Sequence, residues 1–196
     1  PHLGPAAGTA DRRGYVGRLA EEKGIRTLLE AWRHLSYPLA VYGAGPLRPL
    51  VEAAAAELPS GTFHGPTPHR DILEALGAAR ALVMPSEWFE TFGRSVAEAY
   101  SRGTPVIASA LGALSDLVEC GDTGCLVPPA DPAALAAAVS EVAEMADGPY
   151  RALRDHARSA FQASFSRDVN VGILLDIYRR ARSGDAVAPQ PKPVPL

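Results

Sequence analysis

Strand-length apolar runs alternate with helix-period stripes along most of this 196-residue chain, and that alternation leaves few folds open. Residues 14–18 (GYVGR), 38–43 (PLAVYG), 62–65 (TFHG), 81–85 (ALVMP), 105–109 (PVIAS) and 124–128 (GCLVP) have the length and composition of strands. Between the first two, Ile25, Leu28, Leu29, Trp32 and Leu35 recur at the spacing of one helix face. Leu47, Leu50, Val51, Ala54 and Leu58 form a second such stripe, and helices are expected over 71–79, 92–102 and 132–145. The runs at 81–85 and 105–109 are apolar throughout, as in strands covered on both sides. The expected fold is therefore α/β: a Rossmann-like parallel sheet with helices on both faces. Ligands of such sheets bind beyond the carboxyl ends of the strands. The segments to read for chemistry are thus the loops after Arg18, Gly43, Gly65, Pro85 and Ser109.

The folded unit is expected to span residues 14–182. Residues 1–13 (PHLGPAAGTADRR) read as a linker or a cut end, and residues 183–196 as a Pro-rich tail that cannot supply ladder hydrogen bonds. A final helix over 167–182 carries Ile173, Leu174, Leu175, Ile177 and Tyr178 over more than one face, more than one compact sheet domain asks of its last helix. A net charge of -3 gives no reason to expect nucleic acid or an anionic membrane as partner. No apolar run approaches the roughly 20 residues of a membrane span, and no signal peptide is visible. Cys120 and Cys125 read as two free thiols, with a disulfide between them left open, and together these features read as cytoplasmic.

Four segments carry candidate chemistry. In Gly17-Arg18-Leu19-Ala20-Glu21-Glu22-Lys23-Gly24, a strand ends at an arginine and a lysine stands just before a helix. A guanidinium fork, an ammonium and a helix start suit a diphosphate, although both residues also read as ordinary surface charges. In Pro85-Ser86-Glu87-Trp88-Phe89-Glu90-Thr91-Phe92-Gly93, a buried strand enters a loop holding Glu90, and Gly93 opens a helix where a ligand can approach the backbone. Glu98, expected nearly two turns into that helix, has a carboxylate that can accept from adjacent ribose hydroxyls. Both glutamates are equally readable as a helix-start charge and a solvated face. Gly43-Ala44-Gly45-Pro46 is a weak signal, a glycine-rich turn lacking the dinucleotide pattern. The five histidines show no metal-ligand spacing. His64 and His69 lie near a loop that would meet a nucleobase, and a structural role suits them as well.

Taken in order, GRLAEEKG (17–24), YGAGP (42–46), FHG (63–65), PSEWFETFGRSVAEA (85–99), GTPVIAS (103–109) and GALSDLVECGDTGCLVPP (112–129) resemble the donor-binding, C-terminal half of retaining glycosyltransferases with the GT-B fold, family 4 or "glycosyl transferases group 1". The resemblance covers residues 14–182. It implies that Arg18 and Lys23 neutralise the departing diphosphate and that Glu90 contacts the transferred sugar. Backbone N–H groups of Thr91, Phe92 and Gly93 would hold phosphate and sugar oxygens, and Glu98 the ribose hydroxyls. The backbone near Gly17, Gly45 and Gly65 would border the nucleotide. A sugar would pass from a nucleoside diphosphate to an acceptor hydroxyl with its anomeric configuration kept, without a cofactor or bound metal. The family also implies a preceding acceptor domain, from which any peripheral membrane association would come. The chain alone is therefore expected to bind nucleotide without transferring sugar. Thr91 and Arg94 depart from the glycine and leucine common in the family. The alternatives are a nucleotide-sugar epimerase of the same fold and a non-catalytic nucleotide-binding or interaction module. Base, sugar, acceptor and oligomeric state are not legible.

Overall fold

The computed structural model describes residues 12–58 and 60–183. Six strands among them form one parallel sheet: β1 (Arg12–Val16), β2 (Leu39–Tyr42), β3 (Gly61–Gly65), β4 (Ala79–Met84), β5 (Val106–Ser109) and β6 (Gly124–Val127). Their spatial order is β3-β2-β1-β4-β5-β6. The chain thus builds outward from β1 in one direction, returns, and builds outward from β4 in the other. This is the doubly wound Rossmann-like arrangement expected, and the crevice where the winding reverses lies between β1 and β4.

Strand alternation distributes the core between two layers. Ala81 and Val83 of β4, Ile107 of β5 and Val41 of β2 face α1 (Ile25–Trp32), α2 (Arg48–Glu57) and α6 (Pro132–Glu144). Leu82 and Met84, with Val106 and Ala108, face α3 (His69–Ala78), α4 (Arg94–Tyr100) and α5 (Ala113–Leu117). Trp32 is wholly buried and donates through Nε1 to the Tyr37 carbonyl at 2.9 Å, so its polar atom is satisfied within the first layer. Asp131 begins α6 by accepting from the Ala134 N–H at 2.9 Å, with Pro132 as the first helical residue.

Several boundaries depart from expectation. The first strand begins at Arg12 rather than residue 14 and ends at Val16, which leaves Gly17 and Arg18 in the loop. Arg13, expected in a linker, is buried with its guanidinium 4.3 Å from the centre of the Tyr37 ring. Residues 1–11 of the expected linker and 184–196 of the expected tail lie outside the described residues. Strand β4 starts at Ala79, directly after α3, two residues earlier than expected. Its Arg80 donates to the Val142 carbonyl at 2.8 Å and the Met145 carbonyl at 2.6 Å, closing the end of α6. The helix expected over 92–102 is shorter, because Gly93 adopts left-handed backbone (φ 66) and the first helical residue is Arg94.

One helix was not anticipated: α7 (Asp147–Ala160) buries Tyr150, Leu153 and Ala157, with Ala157 joining the α4 layer and Tyr150 the layer of α1 and α6. A single π-helical turn, Phe161–Phe165, joins it to α8 (Arg167–Ser183). Nothing in α8 is buried, and Val171, Ile173, Leu174, Leu175 and Tyr178 are among the exposed large apolar side chains. Both cysteines are free thiols. Cys120 is exposed and its Sγ accepts from the Leu126 N–H at 3.1 Å. No described helix is long and apolar enough to cross a membrane.

Candidate functional site

The site starts from where β1 and β4 end. Hydrogen bonding as a strand stops at Val16, and Gly17 and Arg18 turn away toward the short 3-10 turn Glu21–Lys23. Gly24 then takes left-handed backbone (φ 65) as the residue preceding α1. A Cβ on Gly24 would lie 1.8 Å from the Pro85 carbonyl oxygen, so the loops after β1 and β4 meet where only glycine fits. The Glu87 N–H donates to the Glu22 carbonyl at 3.0 Å, and the Thr27 hydroxyl donates to Glu87 Oε1 at 2.5 Å. These contacts hold the two loops together.

A cavity of about 200 Å³ opens at this junction. Tyr15, Val16, Gly17, Arg18 and Lys23 line it from the β1 side, and Met84, Ser86, Glu90, Gly93, Arg94 and Ser95 from the β4 side. Lys23 Nζ is ion-paired with Glu90 Oε1 across 67 residues of sequence. The buried Ser86 hydroxyl donates to the same oxygen at 2.8 Å. Glu90 is therefore oriented by two donors, and its backbone carbonyl accepts from the Ala113 N–H at 3.1 Å, which ties it to the loop after β5. Arg18, largely exposed, is paired with Glu22 one turn on. The Tyr15 hydroxyl donates to the Arg18 carbonyl at 2.8 Å. Burial above all, and then the nearby Glu90 charge, push its ionisation well above the usual tyrosine range, with Arg18 opposing weakly.

Of the ten residues singled out in the sequence, the cavity brings together Gly17, Arg18, Lys23, Glu90 and Gly93. Thr91 and Phe92 are exposed in the loop beside it. Glu98 is the fifth residue of α4 rather than nearly two turns in, because the helix starts late. Its half-buried carboxylate accepts from Arg94 Nε at 2.7 Å and has His69 Nδ1 at 3.8 Å. Gly65 ends β3 and its carbonyl accepts from the Gly43 N–H at 2.9 Å. His64 beside it stacks flat on Tyr42, ring centres 4.5 Å apart. A Cβ on Gly45 would lie 2.3 Å from the Leu19 carbonyl oxygen, so the close approach of the two loops requires glycine there. The sequence did not single out Ser86, Tyr15 or Ser95. Tyr15 was within reach, as the residue two before Gly17 on a strand, whereas nothing local marks Ser86. Among the described residues no group of three or more His, Cys, Asp or Glu side chains is placed to hold a metal ion.

Comparison with known proteins bears on this geometry. A family model described as "Glycosyl transferases group 1" matches residues 10–145. Glycogen synthase from Mycobacterium tuberculosis is 33% identical over 98% of this chain and 46% of its own length. Among solved structures, sucrose-phosphate synthase from Thermosynechococcus elongatus superposes with a TM-score of 0.78 at 33% identity, covering 90% of this chain and 46% of that one. HepE from Anabaena, solved in complex with UDP, shares the fold with a TM-score of 0.77 at 23% identity over 88% of this chain and 49% of its own. The chain spans less than half the length of the curated relatives it matches. Its sequence and its sheet both place the chain in the glycosyl transferases group 1 family, with the Rossmann-like architecture of GT-B glycosyltransferases.

Proposed function

We propose that this chain is the nucleotide-sugar-binding half of a retaining glycosyltransferase, whose other half, of similar size, holds the acceptor. One observation carries the reading: Arg18 and Lys23 from the end of β1 and Glu90 and Gly93 from the end of β4 line a single cavity at the switch point of the sheet. The relatives' greater length supports a second domain, and the UDP complex of HepE supports a nucleoside diphosphate as ligand.

In this reading Arg18 and Lys23 meet the donor diphosphate. The acceptor oxygen bonds to the anomeric carbon and gives up its proton to the departing phosphate, while the sugar–phosphate bond breaks with its electron pair on the phosphate oxygen. The two cations stabilise that developing charge without a metal. Glu90, held by Ser86 and Lys23, faces the transferred sugar. Backbone groups of Thr91, Phe92 and Gly93 border phosphate and sugar, Glu98 takes the ribose hydroxyls, and the backbone near Gly17, Gly45 and Gly65 borders the nucleotide. Free thiols at Cys120 and Cys125 support a cytoplasmic setting.

Calorimetric titration of the chain with UDP, GDP and ADP tests this. The expected outcome is saturable binding of one nucleotide, weakened about tenfold by Lys23→Ala and by Glu98→Ala, the scale of one lost charge-assisted contact. Failure of all three nucleotides to bind would overturn the reading. Sugar transfer by the 196-residue chain alone would overturn the need for a second domain.

A further inference from the structure

Three cations line the cavity, and each is held by a carboxylate: Arg18 by Glu22, Lys23 by Glu90 and Arg94 by Glu98. The donor-site reading employs the first two. Taking that reading as its basis, we infer that Arg94 is a third diphosphate-binding cation, one that exchanges Glu98 for the sugar-linked phosphate when the donor enters.

Placement is the first argument. Arg94 follows Gly93, whose left-handed backbone and packing against Leu117 fix where α4 begins. Its neighbours Gly93 and Ser95 line the same cavity, so the guanidinium is anchored at the cavity wall whichever way it swings. The second argument is the weakness of its present attachment. The Arg94 side chain is 77% exposed and its partner lies four residues along the same helix, a class of ion pair that stabilises very little. Glu98 keeps His69 nearby after the exchange, and in the donor complex the ribose hydroxyls take the oxygen that Arg94 leaves.

Charge is the third argument. The diphosphate of a nucleotide sugar bears two negative charges, and the nucleoside diphosphate left behind bears more. Arg18 and Lys23 bring two positive charges to the cavity, but Glu90 lines it too and Glu22 pairs with Arg18. Arg94, once released from Glu98, adds a positive charge where the diphosphate would sit. Its planar fork can hold two phosphate oxygens at once, which a lysine cannot.

The test compares diphosphate with monophosphate. Wild-type chain, Arg94→Leu and Arg94→Lys are titrated with UDP and UMP, with GDP and GMP, and with ADP and AMP, and the pair that the wild type binds is analysed. The diphosphate preference is expected to fall about 5- to 20-fold in Arg94→Leu, on the scale of a lost charge-assisted hydrogen bond, and only partly in Arg94→Lys. Because the side chain is exposed, the melting temperature should not change, which separates the effect from misfolding. An equal loss for both nucleotides would show that Arg94 acts only through Glu98 at the ribose end and would overturn the proposal. So would unchanged binding of both. A wild-type chain that binds no nucleotide removes the donor-site reading itself, and this inference with it.

Discussion

Gly24 joins the two halves of the site. It needs left-handed backbone and leaves no room for a Cβ beneath the Pro85 carbonyl. Relief would require the β1 and β4 loops to part, and those loops carry Lys23 and Glu90. Gly24→Ala is therefore expected to lower stability by about 3 kcal/mol, combining backbone strain with the forced displacement. Urea denaturation measures it, and a loss below about 0.5 kcal/mol, the level of an ordinary surface change, would show that the loops separate freely. At the same scale, Ser86 and Lys23 converge on one oxygen of Glu90. Those pairings use ordinary residue types, and it is their shared target that gives the carboxylate one orientation.

Helix α8 differs from the others in what it covers. The buried faces of α1, α3 and α7 complete the two core layers, whereas α8 buries no residue at all. Its Leu174 and Leu175 are about half exposed and Tyr178 more so. A large apolar surface of this kind favours association. Replacing both leucines, Leu174→Glu with Leu175→Glu, should leave the urea midpoint unchanged while lowering any concentration-dependent self-association seen by sedimentation. A drop in the midpoint would mean that α8 contributes to the fold of the described domain after all.

At the scale of the whole molecule, alkaline pH acts through four described groups with raised values, a thiol and two tyrosines raised by burial and Tyr37 raised by its hydrogen bond to Glu144. Burial pushes the Cys125 thiol up from 9.0 to about 12, with Glu141 and Cys120 adding to the effect. Burial likewise raises Tyr15 and Tyr100 well above their ordinary 10.0. A raised value means that the folded state keeps a proton the unfolded chain releases. The stability from these groups is complete below about pH 9 and declines as pH rises beyond it, first through Cys125 and then through the tyrosines. Urea midpoints taken upward from about pH 8 should therefore fall, and in Cys125→Ala the fall should begin about one pH unit later, where unfolded tyrosine starts to ionise. A flat profile in the wild type would contradict these raised values.

The alternation of apolar runs and helical stripes was enough to determine the α/β class and the strands, because periodicity records which side of each residue is covered. It also placed Arg18, Lys23, Glu90 and Gly93 at strand ends, since loops and glycines mark where strands stop. It gave no access to α7, whose three buried residues are diluted by charge, nor to the early start of β1, where Arg13 is buried by stacking on Tyr37. Which cation meets which carboxylate was beyond it as well. Lys23 reaches Glu90 only because β1 lies beside β4, although β2 and β3 come between them in the chain. That adjacency depends on how both faces of the sheet are covered at once, a property of the assembled layers that no local stretch of residues contains.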